Sequence, residues 1–204
     1  MHLRSDLVDA YYRATRAIIK RTPLVGKNPN IISILASLIG LISAYYFMIG
    51  RSATGGMILL LSGILDTLDG TVARLGERAS KFGATLDSTL DRYVEMFVFM
   101  GIAYHFKDTP MFFWASLALM GSVMVSYVRA RAQSLGVQKL VGYLQRFERF
   151  MILAIAAILN PLGMQYWGSE IILELALIIL AVGTNITAFQ RLMIVKAEET
   201  DAAS

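Results

Sequence analysis

The chain is expected to be an all-α integral membrane protein, with six transmembrane helices preceded by an N-terminal interfacial amphipathic helix. Three observations predict this. Hydrophobic residues fill 56% of the 204 positions and charged ones only 17%, whereas a soluble domain carries about 25% charged residues. The mean hydropathy is +0.57. Apolar stretches near the roughly 20 residues needed to cross a bilayer recur at about 31–49, 55–75, 83–105, 111–132, 146–167 and 171–193.

Each element has its own justification. In residues 1–27, Leu7, Val8, Tyr11, Ala14, Ile18 and Ile19 recur at helical spacing. Arg4, Arg13, Arg16, Lys20 and Arg21 take the other positions, the pattern of a helix lying at the headgroup level. The six-helix bundle is expected over 28–196 and a disordered tail over 197–204, so that 1–204 forms a single membrane domain. Pro29, Gly50, Gly76, Pro110, Gly136 and Pro161 mark the breaks between spans. There is no cysteine, which removes disulfides and thiolate ligands. Met1–Asp6 does not open a short apolar run toward a cleavage site, so no secretory signal peptide is expected.

Basic residues fall on one side of the spans. Arg74, Arg78 and Lys81, then Arg129, Arg131, Lys139, Arg146 and Arg149, share a side with the N-terminal helix and with Arg191 and Lys196. The opposite connections offer only Arg51 and Lys107. Positive residues stay inside, so a multi-pass protein of the cell membrane with both termini cytoplasmic is expected. The basic excess therefore reflects topology and anionic headgroups, not nucleic acid.

The chemistry lies in four aspartates. Asp66 and Asp69 are three residues apart and Asp87 and Asp91 four apart, so each pair projects from one helix face. Carboxylates in a spanning helix are costly and mark function, and crowded carboxylates raise each other's pKa unless cations neutralise them. Oxygen-only ligation favours hard ions, Mg²⁺ or Mn²⁺. Gly70, Ala73 and Gly83, each close to a turn from an aspartate, let helices or a ligand approach closely. An intramembrane acidic cluster also suits a cation pathway. Against that, the polar residues crowd at one end, with Glu170 and Glu174, expected to be hydrated, near the other. His2 and His105 are read as bystanders, and Glu95 as a structural partner of Arg92 or a support for a ligand.

The run Asp66-x2-Asp69-Gly70-x2-Ala73-Arg74-x8-Gly83-x3-Asp87-x3-Asp91 resembles the signature of the CDP-alcohol phosphatidyltransferases at all eight defined positions. The resemblance implies a homodimer using two divalent ions per subunit. It implies transfer of a phosphatidyl-type group from a CDP-linked lipid donor to an alcohol, with release of CMP. It makes Asp66, Asp69 and Asp87 metal ligands, and Asp91 both ligand and general base. Gly70, Ala73, Arg74, Ser80 and Gly83 would line the CDP-lipid site. Asn30, Ile31, Ile32 and Ser33 would join them, because Asn28–Ser33 is similar to the family's Pro-Asn-x-x-Thr element, with Ser33 in place of Thr.

The acceptor is read from Arg129, Arg131, Arg146 and Arg149. Arginine forks recognise phosphate, so these residues point to an anionic polyol-phosphate acceptor. They also fit the charge bias that sets topology. The Ser126–Ala132 and Gln145–Arg149 stretches resemble the phosphatidylinositol-phosphate synthase branch, whose acceptor is inositol phosphate. Glycerol 3-phosphate, the acceptor of the phosphatidylglycerol-phosphate branch, is the competing choice.

Overall fold

The computed structural model describes residues 28–75, 80–137 and 142–203, the side chains of 69, 70, 73–75 and 200–203 excepted. Among them there are six helices and no strand: α1 (Pro29–Met48), α2 (Ser52–Leu75), α3 (Lys81–His105), α4 (Met111–Ser134), α5 (Arg146–Trp167) and α6 (Ile171–Ala203). The expected N-terminal helix over 1–27, Arg78 and Lys139 lie outside the described residues.

Local chemistry explains the boundaries. Asn28 caps α1 by accepting from the Asn30 amide, with Pro29 at the first turn where its missing N–H costs nothing. Ser80 caps α3 in the same way, accepting from the Gly83 amide at 2.9 Å. After α1 the chain turns at Gly50, with φ +75°, and a Cβ there would lie 2.8 Å from His105 Cε1. Pro161 was expected to mark a break, but α5 runs through it and ends at Gly168 in the left-handed region. Apolar helices packed among neighbours tolerate proline, because surrounding groups take up the freed backbone. The tail expected to be disordered from Ala197 continues α6 to Ala203 instead. Its Ala and Glu residues are good helix formers that extend a helix already nucleated.

The helices close into a ring. α1 packs on α2 and α3, α2 on α5, α5 on α6, α6 on α4, and α4 on α3. Small residues allow the closest crossings: a Cβ on Gly101 would collide with the Ala44 carbonyl, and one on Gly121 with the Thr184 hydroxyl. The shared core contains Phe47, Val98, Ile102, Leu153, Leu177 and Leu180, with Ala115, Ala118, Ala154 and Ala157 at the contacts.

Outward faces are apolar, as along α1 at Ile34, Leu35, Leu38, Ile42 and Tyr45. Among the described residues, four helices are long and apolar enough to cross a membrane: α1, α4, α5 and residues Ile171–Glu199 of α6. α2 is apolar over Ser52–Leu68, and α3 gathers Lys81, Asp87, Asp91, Arg92 and Glu95 ahead of its apolar last ten residues. These apolar helices fit a multi-pass membrane protein.

The end of the ring opposite the aspartates holds a polar network. His105 Nε2 donates to Glu170 Oε1 at 2.6 Å, and Asn160 Nδ2 donates to Glu170 Oε2 at 2.8 Å and to Ser52 Oγ at 3.1 Å. The Leu173 amide donates to Asn160 Oδ1 at 3.2 Å. Glu170 is therefore bonded within the bundle, where hydration alone was expected, and His105 is its partner. Two side chains, those of His105 and Asn160, bond the carboxylate, and Asn160 is itself buried. Asn160→Leu is expected to cost about 1–3 kcal/mol by stranding these groups. A lowered thermal unfolding midpoint in detergent, with substrate KM values unchanged, is the measurement that checks it.

Candidate active site

Helix pitch sets the carboxylates first. Asp66 projects from the later part of α2, and Asp87 and Asp91 from successive turns of α3. Because α2 and α3 both pack on α1, the ligand oxygens of Asp66, Asp87 and Asp91 come within 4.8 Å of one another. Three of the four motif aspartates thus converge. Asp69, Gly70, Ala73 and Arg74 belong to α2, and their side chains lie outside the described residues.

Such an assembly is stable only with compensating charge. Arg146, at the start of α5, donates one nitrogen to Asp91 and another to Asp66 at 3.4 Å. One guanidinium leaves two of three ionised carboxylates unbalanced, which matches the charge of a divalent ion. The donor set is entirely oxygen, so Asp66, Asp87 and Asp91 fit a hard cation.

A turn beyond Asp91, Glu95 Oε1 accepts from Nε and Nη2 of Arg149 at 2.9 and 2.8 Å. Glu95 was expected to pair with Arg92, which stands 3.9 Å away at the other oxygen; its main partner is Arg149. Arg149 is only 2% exposed. Its Nη1 donates to the Leu144 carbonyl at 3.2 Å, so three of its five N–H donors are used and two remain. Arg146, Arg149, Asp66, Asp91 and Glu95 line the polar end of a cavity of about 40 Å³. Leu59, Val98, Phe99 and Leu153 line its apolar depth. Arg129 and Arg131 are exposed near the end of α4, Arg131 within 3.5 Å of the Ser134 hydroxyl.

The CDP-lipid candidates divide. Asn30, Ser80 and Gly83 meet where α1 and α3 begin: a Cβ on Gly83 would lie 3.0 Å from Asn30 Oδ1 and 3.1 Å from Ser80 Oγ. Ile31 faces outward, whereas Ile32 and Ser33 are buried, with the Ser33 hydroxyl donating to the Pro29 carbonyl.

Sequence reasoning gave Arg191 only a topological role. It is 2% exposed, its Nη1 donates to the Val125 carbonyl at 2.6 Å, and among the described residues its Nε has no partner. Among those residues no carboxylate pairs with it, and Arg129 and Arg149 lie within electrostatic reach. The signal was present in α6: Thr184, Thr187 and Arg191, at spacings of three and four, form a polar stripe in an apolar helix, and all three are buried.

A helical membrane bundle with a carboxylate trio beside a cavity lined by both arginines and carboxylates defines a class that comparison with known proteins makes specific. The CDP-alcohol phosphatidyltransferase family matches residues 27–188. The chain belongs to that family and is an enzyme of its type, which decides against the cation-pathway alternative. It is 31% identical over 188 residues to the phosphatidylinositol phosphate synthase of Mycobacterium tuberculosis, covering 90% of this chain and 86% of that one. It is 36% identical over 196 residues to the archaetidylinositol phosphate synthase of Methanothermobacter thermautotrophicus, covering 93% and 96%. The crystal structure of the mycobacterial synthase with CDP-DAG bound superposes with a TM-score of 0.79 at 30% identity, over 90% of this chain and 94% of that one. The same synthase in complex with manganese and citrate gives 0.77 at 29% identity, over 90% and 87%.

Asp87→Asn removes a charged oxygen from the trio. Since changing residues behind metal ligands already costs about 10–100-fold in affinity, Mn²⁺ binding followed by electron paramagnetic resonance is expected to weaken at least that much. Unchanged Mn²⁺ affinity would separate the trio from metal binding.

Proposed function

We propose that this enzyme transfers a phosphatidyl-type group from a CDP-linked lipid to inositol phosphate, yielding phosphatidylinositol phosphate and CMP. The observation that carries this reading is that Asp66 and Asp91 of the carboxylate trio share one cavity with Arg146 and the buried Arg149. Arg149 and Arg191 are each 2% exposed, and Arg191 has no carboxylate partner among the described residues. A buried unpaired guanidinium is costly, and a phosphorylated acceptor relieves it. Free inositol, which carries no charge, would not. The names of the two relatives, a phosphatidylinositol phosphate synthase and an archaetidylinositol phosphate synthase, support the same acceptor.

The reaction is a single displacement at phosphorus. The acceptor hydroxyl oxygen attacks the lipid-bearing phosphorus, and the bond from that phosphorus to the oxygen of CMP breaks, with CMP leaving with the electron pair. Asp91, 8% exposed and lining the cavity, takes the hydroxyl proton. Asp66, Asp69, Asp87 and Asp91 would hold two ions per subunit, Mg²⁺ or Mn²⁺, which when bound neutralise diphosphate charge and keep the attacking and leaving oxygens in line. Asn30, Ser80 and Gly83, with Ile31, Ile32, Ser33, Gly70, Ala73 and Arg74, form the donor side. Arg129, Arg131, Arg146, Arg149 and Arg191 form the acceptor side. Arg146, bonded to Asp66 and Asp91, stands where the two sides join.

The membrane arrangement completes the reading. All six helices cross the cell membrane, α2 and α3 with their charged residues toward the cytoplasm, and the N-terminal helix lies on the cytoplasmic surface. Both termini and the site face the cytoplasm, and two chains form the homodimer.

The test incubates the purified protein with a CDP-lipid, Mg²⁺ and either inositol phosphate or glycerol 3-phosphate, following CMP and the lipid product. Inositol phosphate is expected to be the better acceptor, and turnover of glycerol 3-phosphate alone would overturn the assignment. Asp91→Asn is expected to lower kcat about 10²–10⁴-fold, the range of general-base catalysis. Arg191→Gln is expected to raise the acceptor KM about 10–100-fold, the equivalent of one charged hydrogen bond, with the donor KM little changed.

A further inference from the structure

Glu95 lies beside the reaction without a role in it. Its side chain is 14% exposed, and a single oxygen, Oε1, receives two N–H groups of Arg149. Arg149 in turn donates to the carbonyl of Leu144. The Leu144 amide donates to Thr187 Oγ1 of α6 at 3.3 Å, one helical turn before Arg191. Gly142 passes so close to α6 that a Cβ would lie 3.2 Å from Arg191 Nε. Two residues after Leu144, Arg146 reaches Asp66 and Asp91. The segment that enters α5 is thus held between α3 and α6, and Glu95 is its anchor on α3.

We propose that Glu95 is the positioning residue of the acceptor site. By fixing Arg149 in one rotamer, it leaves the two unused N–H groups of that guanidinium for the acceptor phosphate. It also sets the Leu144 backbone that delivers Arg146 to the aspartates. The inference rests on the reading of the arginine cluster as the acceptor site. Charge requires a carboxylate here. Arg146 and Arg149 both lie within electrostatic reach of Arg92, and among the described residues Glu95 is the only carboxylate paired with Arg92 or Arg149. A neutral side chain would let these cations repel and Arg149 turn away.

The test is a double-mutant cycle on the full-length protein, using whichever phosphorylated polyol the wild type turns over. Glu95→Gln keeps the shape and removes the charge. It is expected to raise the acceptor KM about tenfold, the scale of one charge-assisted hydrogen bond, while the CDP-lipid KM and the Mn²⁺ affinity stay within about twofold. Because Glu95 acts through Arg149, the acceptor KM of Glu95→Gln combined with Arg149→Gln is expected to equal that of Arg149→Gln alone. A lowered kcat or melting temperature with an unchanged acceptor KM would mean a purely structural pair. Additive effects, or equal rises in both KM values, would also overturn the proposal. If Glu95→Gln alone does not fold, the double variant, which leaves no buried Arg149 guanidinium without its carboxylate, is compared with Arg149→Gln by the same criterion. A wild type that turns over neither polyol phosphate sinks this inference together with the acceptor reading. Turnover with an unmoved KM in Glu95→Gln sinks this inference alone.

Discussion

Mutual repulsion among Asp66, Asp87 and Asp91 is the constraint around which the bundle is organised. Their oxygens are held within 4.8 Å by helices whose outward faces are apolar, so water cannot disperse the charge as it would at a soluble surface. Compensation must come from cations brought to the spot. Arg146 is one, supplied by the chain, and the donor set suits a divalent ion for the remainder. The helix ring serves this purpose: α2 and α3 carry the carboxylates, α1 holds those two helices side by side, and α5 brings Arg146 and Arg149 against them.

The same constraint separates two kinds of polar residue. Near the aspartates, charges outnumber their partners: Arg191 lacks a carboxylate among the described residues, and one oxygen of Glu95 and one nitrogen of Arg92 have no hydrogen bond there. At the opposite end, His105, Glu170, Asn160 and Ser52 bond to one another. Asp91 and His105 are fourteen residues apart on α3, about 21 Å along the helix axis. A satisfied network fixes structure, whereas an unsatisfied one invites a ligand. The contrast locates function in the first half of α3 and structure in its last turn.

Much of this was legible in the sequence, for physical reasons that differ from residue to residue. Helix extents were readable because apolar runs of spanning length are local signals. The carboxylate convergence was readable because spacings of three and four define a helix face. Pro161 misled because a rule about isolated helices ignores the neighbours that absorb its cost. Glu170 misled because its partners, His105 on α3 and Asn160 on α5, are brought to it by packing between helices. Arg149 and Arg191 looked alike as basic residues near a membrane surface. Only burial and pairing distinguish one held by Glu95 from one left without a carboxylate. Pairings across the ring have no local signature, whereas the polar stripe Thr184–Thr187–Arg191 did and was passed over.

Because the carboxylates ride on continuous helices instead of loops, their geometry is indexed to the helical repeat. One residue inserted between Asp87 and Asp91 would swing the later carboxylate about 100° around α3, carrying Glu95 and the whole apolar seam beyond it out of phase. No side-chain adjustment recovers a displacement of that size. Length within this stretch is therefore a stricter requirement than identity at most of its positions, and insertions or deletions there should be absent from any functional descendant of the chain.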